Sequence, residues 1–108
     1  MLVENLKLDS QGLLPAVIQD ADTGEVLMLG YMNPKSLELT RTKGEVWFYS
    51  RSRQELWNKG ATSGNKLMVI EMWIDCDNDT VLVKAKPMGP VCHTGAKTCF
   101  FTKIETDF

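Results

Sequence analysis

Apolar residues along the chain fall into short runs separated by turn residues, which is the pattern of a mostly β protein. Residues 15–20 and 25–31 are two such runs, and the Asp-Thr-Gly sequence at 22–24 between them predicts a hairpin. Residues 45–50 contain a Trp-Phe-Tyr sequence and have the composition of a third strand.

The second half of the chain predicts further strands. Residues 66–75 are apolar on both faces apart from Glu71, so we expect the core or a second chain to cover both sides. Residues 81–86 alternate in the manner of a half-exposed strand, and the Asn-Asp pair at 78–79 predicts a tight turn before it. Residues 100–104 are predicted to form a closing strand.

One helix is predicted over residues 34–43. Asn33 is a good N-cap, Pro34 suits the first helical position, and Gly44 suits the helix end. Together these elements predict an α+β, mostly β fold: a small antiparallel, barrel-like sheet domain with one short helix.

Composition and charge narrow the class of protein. The 108 residues fit one domain spanning residues 1–108. A net charge of −2 lacks the basic field expected of a nucleic-acid-binding protein. No apolar run approaches the ~20 residues of a transmembrane helix, and residues 1–5 lack the pattern of a signal peptide. Three cysteines fit a disulfide framework poorly, so we expect a cytoplasmic protein that keeps its thiols for metal.

The three cysteines, Cys76, Cys92 and Cys99, carry the strongest chemical indication. Three thiolates suit Zn²⁺, and three protein ligands leave the fourth tetrahedral position open for water. The alternative is that each cysteine is a small buried hydrophobic residue, and the spacing contains no Cys-x-x-Cys pair. We therefore hypothesise that the three cysteines bind zinc. A zinc site with an open position favours a metal-dependent hydrolase.

The carboxylates of Asp75, Asp77 and Asp79 suit Mg²⁺. If residues 75–77 are extended, Asp75 and Asp77 face one way and Cys76 the other, so that thiol and carboxylates would serve two sites. The alternative is a solvated hairpin tip. An EF-hand is excluded, because Gly and Glu are missing from the sixth and twelfth positions.

His93, the only histidine, has three interpretations. It could be a fourth zinc ligand, a general acid or base, or a buried structural side chain. If residues 92–93 are extended, the side chains of Cys92 and His93 diverge, which favours proton transfer over shared ligation.

A stretch rich in arginine, hydroxyl and glycine residues follows the third predicted strand. Guanidinium groups pair bidentately with phosphate, and glycine lets backbone N–H groups approach an anion. The alternative is an exposed polar loop. The candidate phosphate ligands are Arg51, Arg53, Lys59, Thr62 and Ser63.

Taken together, these motifs resemble the phosphoribosyl-AMP cyclohydrolase family of histidine biosynthesis. The resemblance runs through residues 27–33 (Leu-Met-Leu-Gly-Tyr-Met-Asn), 50–64, 75–79 (Asp-Cys-Asp-Asn-Asp), 89–95 (Gly-Pro-Val-Cys-His-Thr-Gly) and 99–100. These are four motifs in the family's order, the last of them running from residue 89 to residues 99–100, and the resemblance covers roughly residues 14–101, almost the whole chain.

The resemblance implies an intertwined homodimer with zinc at the subunit interface, held by Cys76 of one subunit and by Cys92 and Cys99 of the other. It also implies magnesium on the three aspartates. The implied substrate is N1-(5-phosphoribosyl)-AMP, whose N1–C6 bond is hydrolysed to open the purine ring. Water activated by zinc would attack C6, and His93 would accept or return the proton.

Two rival classes remain open at this point. A non-catalytic binding module would use zinc as a closed structural site with a fourth protein ligand. A thiol redox protein would pair Cys92 and Cys99 in a reversible disulfide.

Overall fold

The computed structural model describes residues 5–108. Residues 1–4, which include most of the segment inspected for a signal peptide, lie outside the described residues. The described chain forms six strands and one helix in the order β1 (Leu14–Asp20), β2 (Val26–Met32), α1 (Pro34–Lys43), β3 (Trp47–Ser50), β4 (Glu55–Asn58), β5 (Leu67–Ile74) and β6 (Val81–Pro87). The prediction of a mostly β domain with one short helix is confirmed.

Four of the strands form one sheet in the order β2-β1-β6-β5, with β2 and β5 as its outer strands. The β1–β2 and β5–β6 pairs are antiparallel, as predicted for hairpins. The β1–β6 pair is parallel, so the sheet is mixed. The long connection between β1 and β6 carries the helix and the remaining strands.

The helix ends follow from their sequence. The Asn33 side chain accepts a hydrogen bond from the Ser36 amide at 2.8 Å, and the Ser36 hydroxyl accepts one from the Asn33 amide at 2.9 Å. Gly44 ends the helix with φ of 76°, and its amide donates to the Thr40 carbonyl. The predicted helix bounds and both caps are confirmed.

A second, two-stranded sheet pairs β3 with β4. Phe48 of β3 is fully buried and contacts the Trp57 ring of β4, with ring centroids 5.1 Å apart. This sheet is joined to β5 through Val46, whose amide donates to the Leu67 carbonyl at 3.1 Å. The core therefore lies between the inner face of the large sheet, the helix and the β3–β4 hairpin.

Two strand predictions need correction. Strand β4 (Glu55–Asn58) was not predicted, because its four residues follow directly on a polar turn and show no clear alternation. The strand predicted at 100–104 is wrong: within the described residues no strand follows Pro87. This segment touches β2 through the Cys99 amide and Leu27 carbonyl at 2.8 Å, then leaves Phe100 and Ile104 exposed.

Strand β5 has one apolar face that the rest of the described chain does not cover. Ile70 is 61% exposed and Trp73 is 56% exposed. No helix among the described residues has the length and apolar character needed to cross a membrane.

Candidate active site

The loop between β5 and β6 gathers three carboxylates. One oxygen from each of Asp75, Asp77 and Asp79 lies within 4.8 Å of the others. The Asp75 amide donates to the Thr80 carbonyl at 3.0 Å, and Asn78, with φ of 62°, reverses the chain. An asparagine tolerates this left-handed conformation better than most residues. A tight turn therefore produces the acidic cluster.

Electrostatics within the acidic cluster favour a cation. The pKa of the Asp75 carboxyl lies below its ordinary value, first because it accepts the Asp79 amide hydrogen bond. The pKa of Asp79 is raised, first by a hydrogen bond to the Asp75 carboxyl and then by the negative charges of Asp75 and Asp77. Carboxylates held this close repel one another, and an oxygen-seeking divalent cation would relieve that repulsion.

Cys76 lies in the same turn as the carboxylates. Its thiol donates to Asp77 Oδ1 at 2.8 Å, and this hydrogen bond is the main reason that its pKa is raised. The argument for opposite faces required residues 75–77 to be extended, and this condition is not met, because β5 ends at Ile74 and residues 76–77 are already in the turn. Cys76 remains exposed.

Cys92 and Cys99 meet in a second loop. The Cys92 carbonyl accepts the Gly95 amide at 3.0 Å, which closes a turn, and Thr94 Oγ1 donates to Cys92 Sγ at 3.1 Å. The Thr94 hydrogen bond is the main reason that the pKa of Cys92 is lowered. Burial raises the pKa of Cys99, and a hydrogen bond with the Cys92 thiol adds to this effect. This loop therefore presents one thiol poised for ionisation beside a second thiol.

His93 lies on the turn that begins at Cys92 and is exposed. Its Nδ1 lies 4.0 Å from Cys92 Sγ. Exposure excludes the buried structural histidine, and residues 92–93 lie in a turn, so the condition that they are extended is not met. An exposed imidazole beside a thiol pair can exchange a proton with a reacting group bound there.

The structure does not bring all three sulfur atoms together within one chain. Across residues 5–108, the three aspartates are the only group of three or more Cys, His, Asp or Glu residues whose ligand atoms lie mutually this close. Cys76 follows β5, whereas the amide of Cys99 is bonded to β2 at the opposite side of the sheet. Three strand spacings of about 4.8 Å separate those strands by about 14 Å.

The predicted phosphate ligands divide among three places. Arg53, Thr62 and Ser63 line one open cleft of about 500 Å³, beside the ring of Trp57. Arg51 lines a neighbouring cleft, and its guanidinium stacks over the Tyr31 ring at 4.4 Å. Trp57 lines both clefts, so a ligand with two anionic ends could span them.

Lys59 is not among the residues that line these clefts. Its Nζ donates to the Val91 carbonyl at 2.7 Å, next to Cys92. Sequence reasoning also missed Thr94 and Tyr31. Both lie inside the motifs quoted above. Their sequence context is that of an ordinary loop or strand residue, and only the structure shows that Thr94 contacts Cys92 and that Tyr31 contacts Arg51.

Comparison with known proteins identifies the family of the chain. The model of the phosphoribosyl-AMP cyclohydrolase family matches residues 28–101. A phosphoribosyl-AMP cyclohydrolase of Listeria monocytogenes serotype 4b is 56% identical over 99 residues, which cover 92% of this chain and 94% of that protein. One of Clostridium botulinum is 57% identical over 94 residues, covering 87% and 86%.

A longer relative is also similar. The histidine biosynthesis bifunctional protein HisIE of Oceanobacillus iheyensis is 54% identical over 102 residues, which cover 94% of this chain and 47% of that protein. The matched region of the family model includes the acidic turn, the cysteine loop and both clefts. The chain therefore belongs to the phosphoribosyl-AMP cyclohydrolase family.

Proposed function

We propose that this protein hydrolyses the N1–C6 bond of N1-(5-phosphoribosyl)-AMP and opens the purine ring to a carboxamide in histidine biosynthesis. The observation that carries the proposal is the 56% identity to a phosphoribosyl-AMP cyclohydrolase over nearly the full length of both chains. The geometry agrees with it: one loop holds an exposed histidine beside a thiol pair, and two clefts offer guanidinium groups to phosphates.

A zinc ion would be held by Cys92 and Cys99 of one subunit and by Cys76 of another. The donor set fits the ion, since all three thiols are free and zinc accepts thiolate ligands. The lowered pKa of Cys92 supports ligation, because the thiolate is the form that binds metal. Free thiols also suit the reducing cytoplasm, where we place the protein.

A homodimer is supported by the exposed apolar surface. Trp73 and Ile70 of β5 and Phe100 beyond the cysteine loop are each more than half exposed. Exposed apolar patches, here one on β5 and one beside Cys99 at the opposite side of the sheet, mark surfaces for protein association. A two-fold axis would cover these side chains and would place Cys76 of each subunit near the partner's cysteine loop.

A magnesium ion would be held by Asp75, Asp77 and Asp79, whose oxygens already lie within reach of a single cation. Because Cys76 donates to Asp77, the two metals would lie close together in the dimer. We propose a two-metal site in which the acidic turn helps to orient the substrate.

The residues of the chain supply binding and proton transfer. Zinc, when bound, would supply a water nucleophile at neutral pH. His93 accepts a proton as the water adds to C6, and returns it as the C6–N1 bond breaks. Arg53, Thr62 and Ser63 would hold one phosphate, and Arg51 would hold the other.

The direct test follows ring opening by ultraviolet absorbance, with purified protein, phosphoribosyl-AMP, zinc and magnesium. We expect turnover that a chelator abolishes and added zinc restores. His93→Ala should keep stoichiometric zinc and lose roughly 10²–10⁴-fold in kcat, the usual contribution of a general acid or base. Wild-type turnover in this variant would remove His93 from the mechanism.

Mixing two inactive variants tests the shared zinc site. Cys76→Ser and Cys92→Ser homodimers should each lack activity. After subunit exchange, half of the dimers are mixed and each has one intact site of two, so about a quarter of wild-type activity should return. If the zinc site lies within one subunit, mixing restores nothing.

The contact between Cys92 and Cys99 also favours a second candidate, a thiol redox protein. Counting reactive thiols separates the two functions. A redox protein would show a disulfide that a reductant opens, whereas a metal protein would show thiols that a chelator unmasks.

A further inference from the structure

Lys59 lies in the turn that follows β4, within a stretch whose composition predicts phosphate binding. The structure directs its side chain elsewhere. Lys59 is half-buried, and its Nζ donates to the Val91 carbonyl at 2.7 Å, across 32 positions of sequence. The ammonium also lies 5.9 Å from the centre of the Trp57 ring. Lys59 is therefore oriented by β4 and directed at the residue before Cys92.

Val91 lies at the start of the cysteine loop, the loop that carries Cys92 and Cys99, and its position is fixed by burial and by a hydrogen bond. Its side chain is 1% exposed, and its amide donates to the Lys97 carbonyl at 3.1 Å. The Lys59 hydrogen bond therefore anchors a backbone segment that already has one cross-link to the far end of the loop. Hydrogen bonds from a charged donor are about twice as strong as neutral ones.

The ammonium of Lys59 is held at the backbone carbonyl of Val91, directly before Cys92. Groups that contact the residues holding a metal orient them, and losing such a group typically weakens metal binding. Lys59, which contacts Trp57 and Val91, is therefore placed to orient the backbone that precedes Cys92.

We propose that Lys59 is a positioning residue that holds the Cys92–Cys99 loop in the geometry that receives zinc, and that it is not a phosphate ligand. The inference rests on the zinc site of the proposed function. Residues of one motif then have two different roles. Lys59 supports the zinc site, whereas Thr62 and Ser63 bind the substrate.

The test compares Lys59→Met with Lys59→Arg, using Lys35→Met as the matched loss of a lysine exposed on α1. Zinc affinity is measured by competition with a chromophoric chelator, and KM is measured with zinc saturating. We expect Lys59→Met to weaken zinc binding about 10–100-fold, as loss of a supporting contact does elsewhere, with KM unchanged. Lys59→Arg should recover most of the affinity, and Lys35→Met should match the wild type.

Arg53→Gln should have the opposite effect on zinc affinity and KM. Because Arg53 lines the substrate cleft, this variant should raise KM and leave zinc affinity unchanged. Unchanged zinc affinity in Lys59→Met, or a raised KM as in Arg53→Gln, overturns the positioning role.

A measurement without zinc separates failure of this inference from failure of the proposed zinc site. The Cys92 amide, next to Val91, donates to the Ala96 carbonyl at 3.1 Å. In metal-free protein, Lys59→Met should loosen this backbone and speed hydrogen exchange of the Cys92 amide several-fold, and an unchanged rate overturns the inference. Failure of the wild type to bind zinc would instead overturn the proposed function. If Lys59→Met does not fold by circular dichroism, Lys59→Gln takes its place in both measurements.

Discussion

Gly60 is the residue of the substrate-cleft turn that least tolerates a side chain. It has φ of 85°, and a Cβ atom built on it would lie 2.5 Å from both the Asn65 carbonyl oxygen and the Lys66 amide nitrogen. Gly64, four residues later, has a similar φ of 81° and nothing within 4 Å of the same hypothetical atom. Comparing Gly60→Ala with Gly64→Ala therefore separates steric overlap from backbone strain.

The magnitudes follow from these two geometries. An L-residue in the left-handed region costs about 1–2 kcal/mol, which is the whole penalty expected for Gly64→Ala. Overlap with fixed backbone adds about 1–3 kcal/mol at Gly60. The overlap cannot relax cheaply, because the neighbouring atoms are backbone and the Gly64 amide already donates to the Gly60 carbonyl at 2.8 Å. We expect Gly60→Ala to be the more destabilising variant by at least about 1 kcal/mol.

The assay is urea unfolding of metal-free protein in chelator and reductant, followed by circular dichroism at one protein concentration. Equal free energies of unfolding for the two variants would refute the steric argument. Activity gives a second readout, because the turn carries Lys59 on one side of Gly60 and Thr62 on the other. Gly60→Ala should therefore lower both zinc affinity and substrate affinity.

Three further predictions concern the scaffold. Phe48→Ala removes a fully buried ring and should lower the free energy of unfolding by about 3–5 kcal/mol in the same urea assay; a loss below 1 kcal/mol would contradict its place in the core. Asn33→Ala removes the helix cap bonded to Ser36 and should cost about 0.5–2 kcal/mol, with no loss contradicting the capping geometry. The pKa of Asp20 is lowered, first by the backbone amides of the turn it caps and then by Lys97. Its ionised form therefore stabilises the fold at neutral pH, and this stabilisation disappears as pH falls through the lowered pKa. The stability gap between wild type and Asp20→Asn, measured by urea unfolding from pH 7 to 3, should be constant at neutral pH and narrow progressively below about pH 4; a gap independent of pH would contradict this.

Local sequence signals predicted the parts of the fold that local chemistry decides. The capping pair of Asn33 and Ser36 and the αL glycine at 44 act within a few residues, so the helix bounds could be predicted closely. The strand predicted at 100–104 failed for the opposite reason. Its residues have strand composition, but a strand requires a partner, and the backbone of the segment makes one hydrogen bond to β2, from the Cys99 amide to the Leu27 carbonyl, before the chain departs.

The candidate site shows the same division. The grouping of the aspartates could be predicted from their spacing, although a turn and not strand alternation achieves it. The role suggested for Lys59 could not be predicted, because its partner Val91 lies 32 residues away and the intervening fold decides which atoms meet. Composition can indicate that a stretch binds anions, but only the fold shows which of its cations faces the cleft.

The sheet order gives a physical reason for the separation of the cysteines. Cys76 follows β5 at one side of the sheet, and the Cys99 amide is bonded to β2 at the other. Each sulfur ligand lies about 2.3 Å from a zinc ion. Two strands about 14 Å apart therefore cannot supply all three sulfur ligands to one ion. A rotation that brings the β5 side of one subunit to the β2 side of another would complete two equivalent sites at once. The same contact would bury Trp73, which explains why an outer strand carries an apolar side chain on a face its own chain leaves open. Under the proposed function, stability and catalysis therefore depend on the same association.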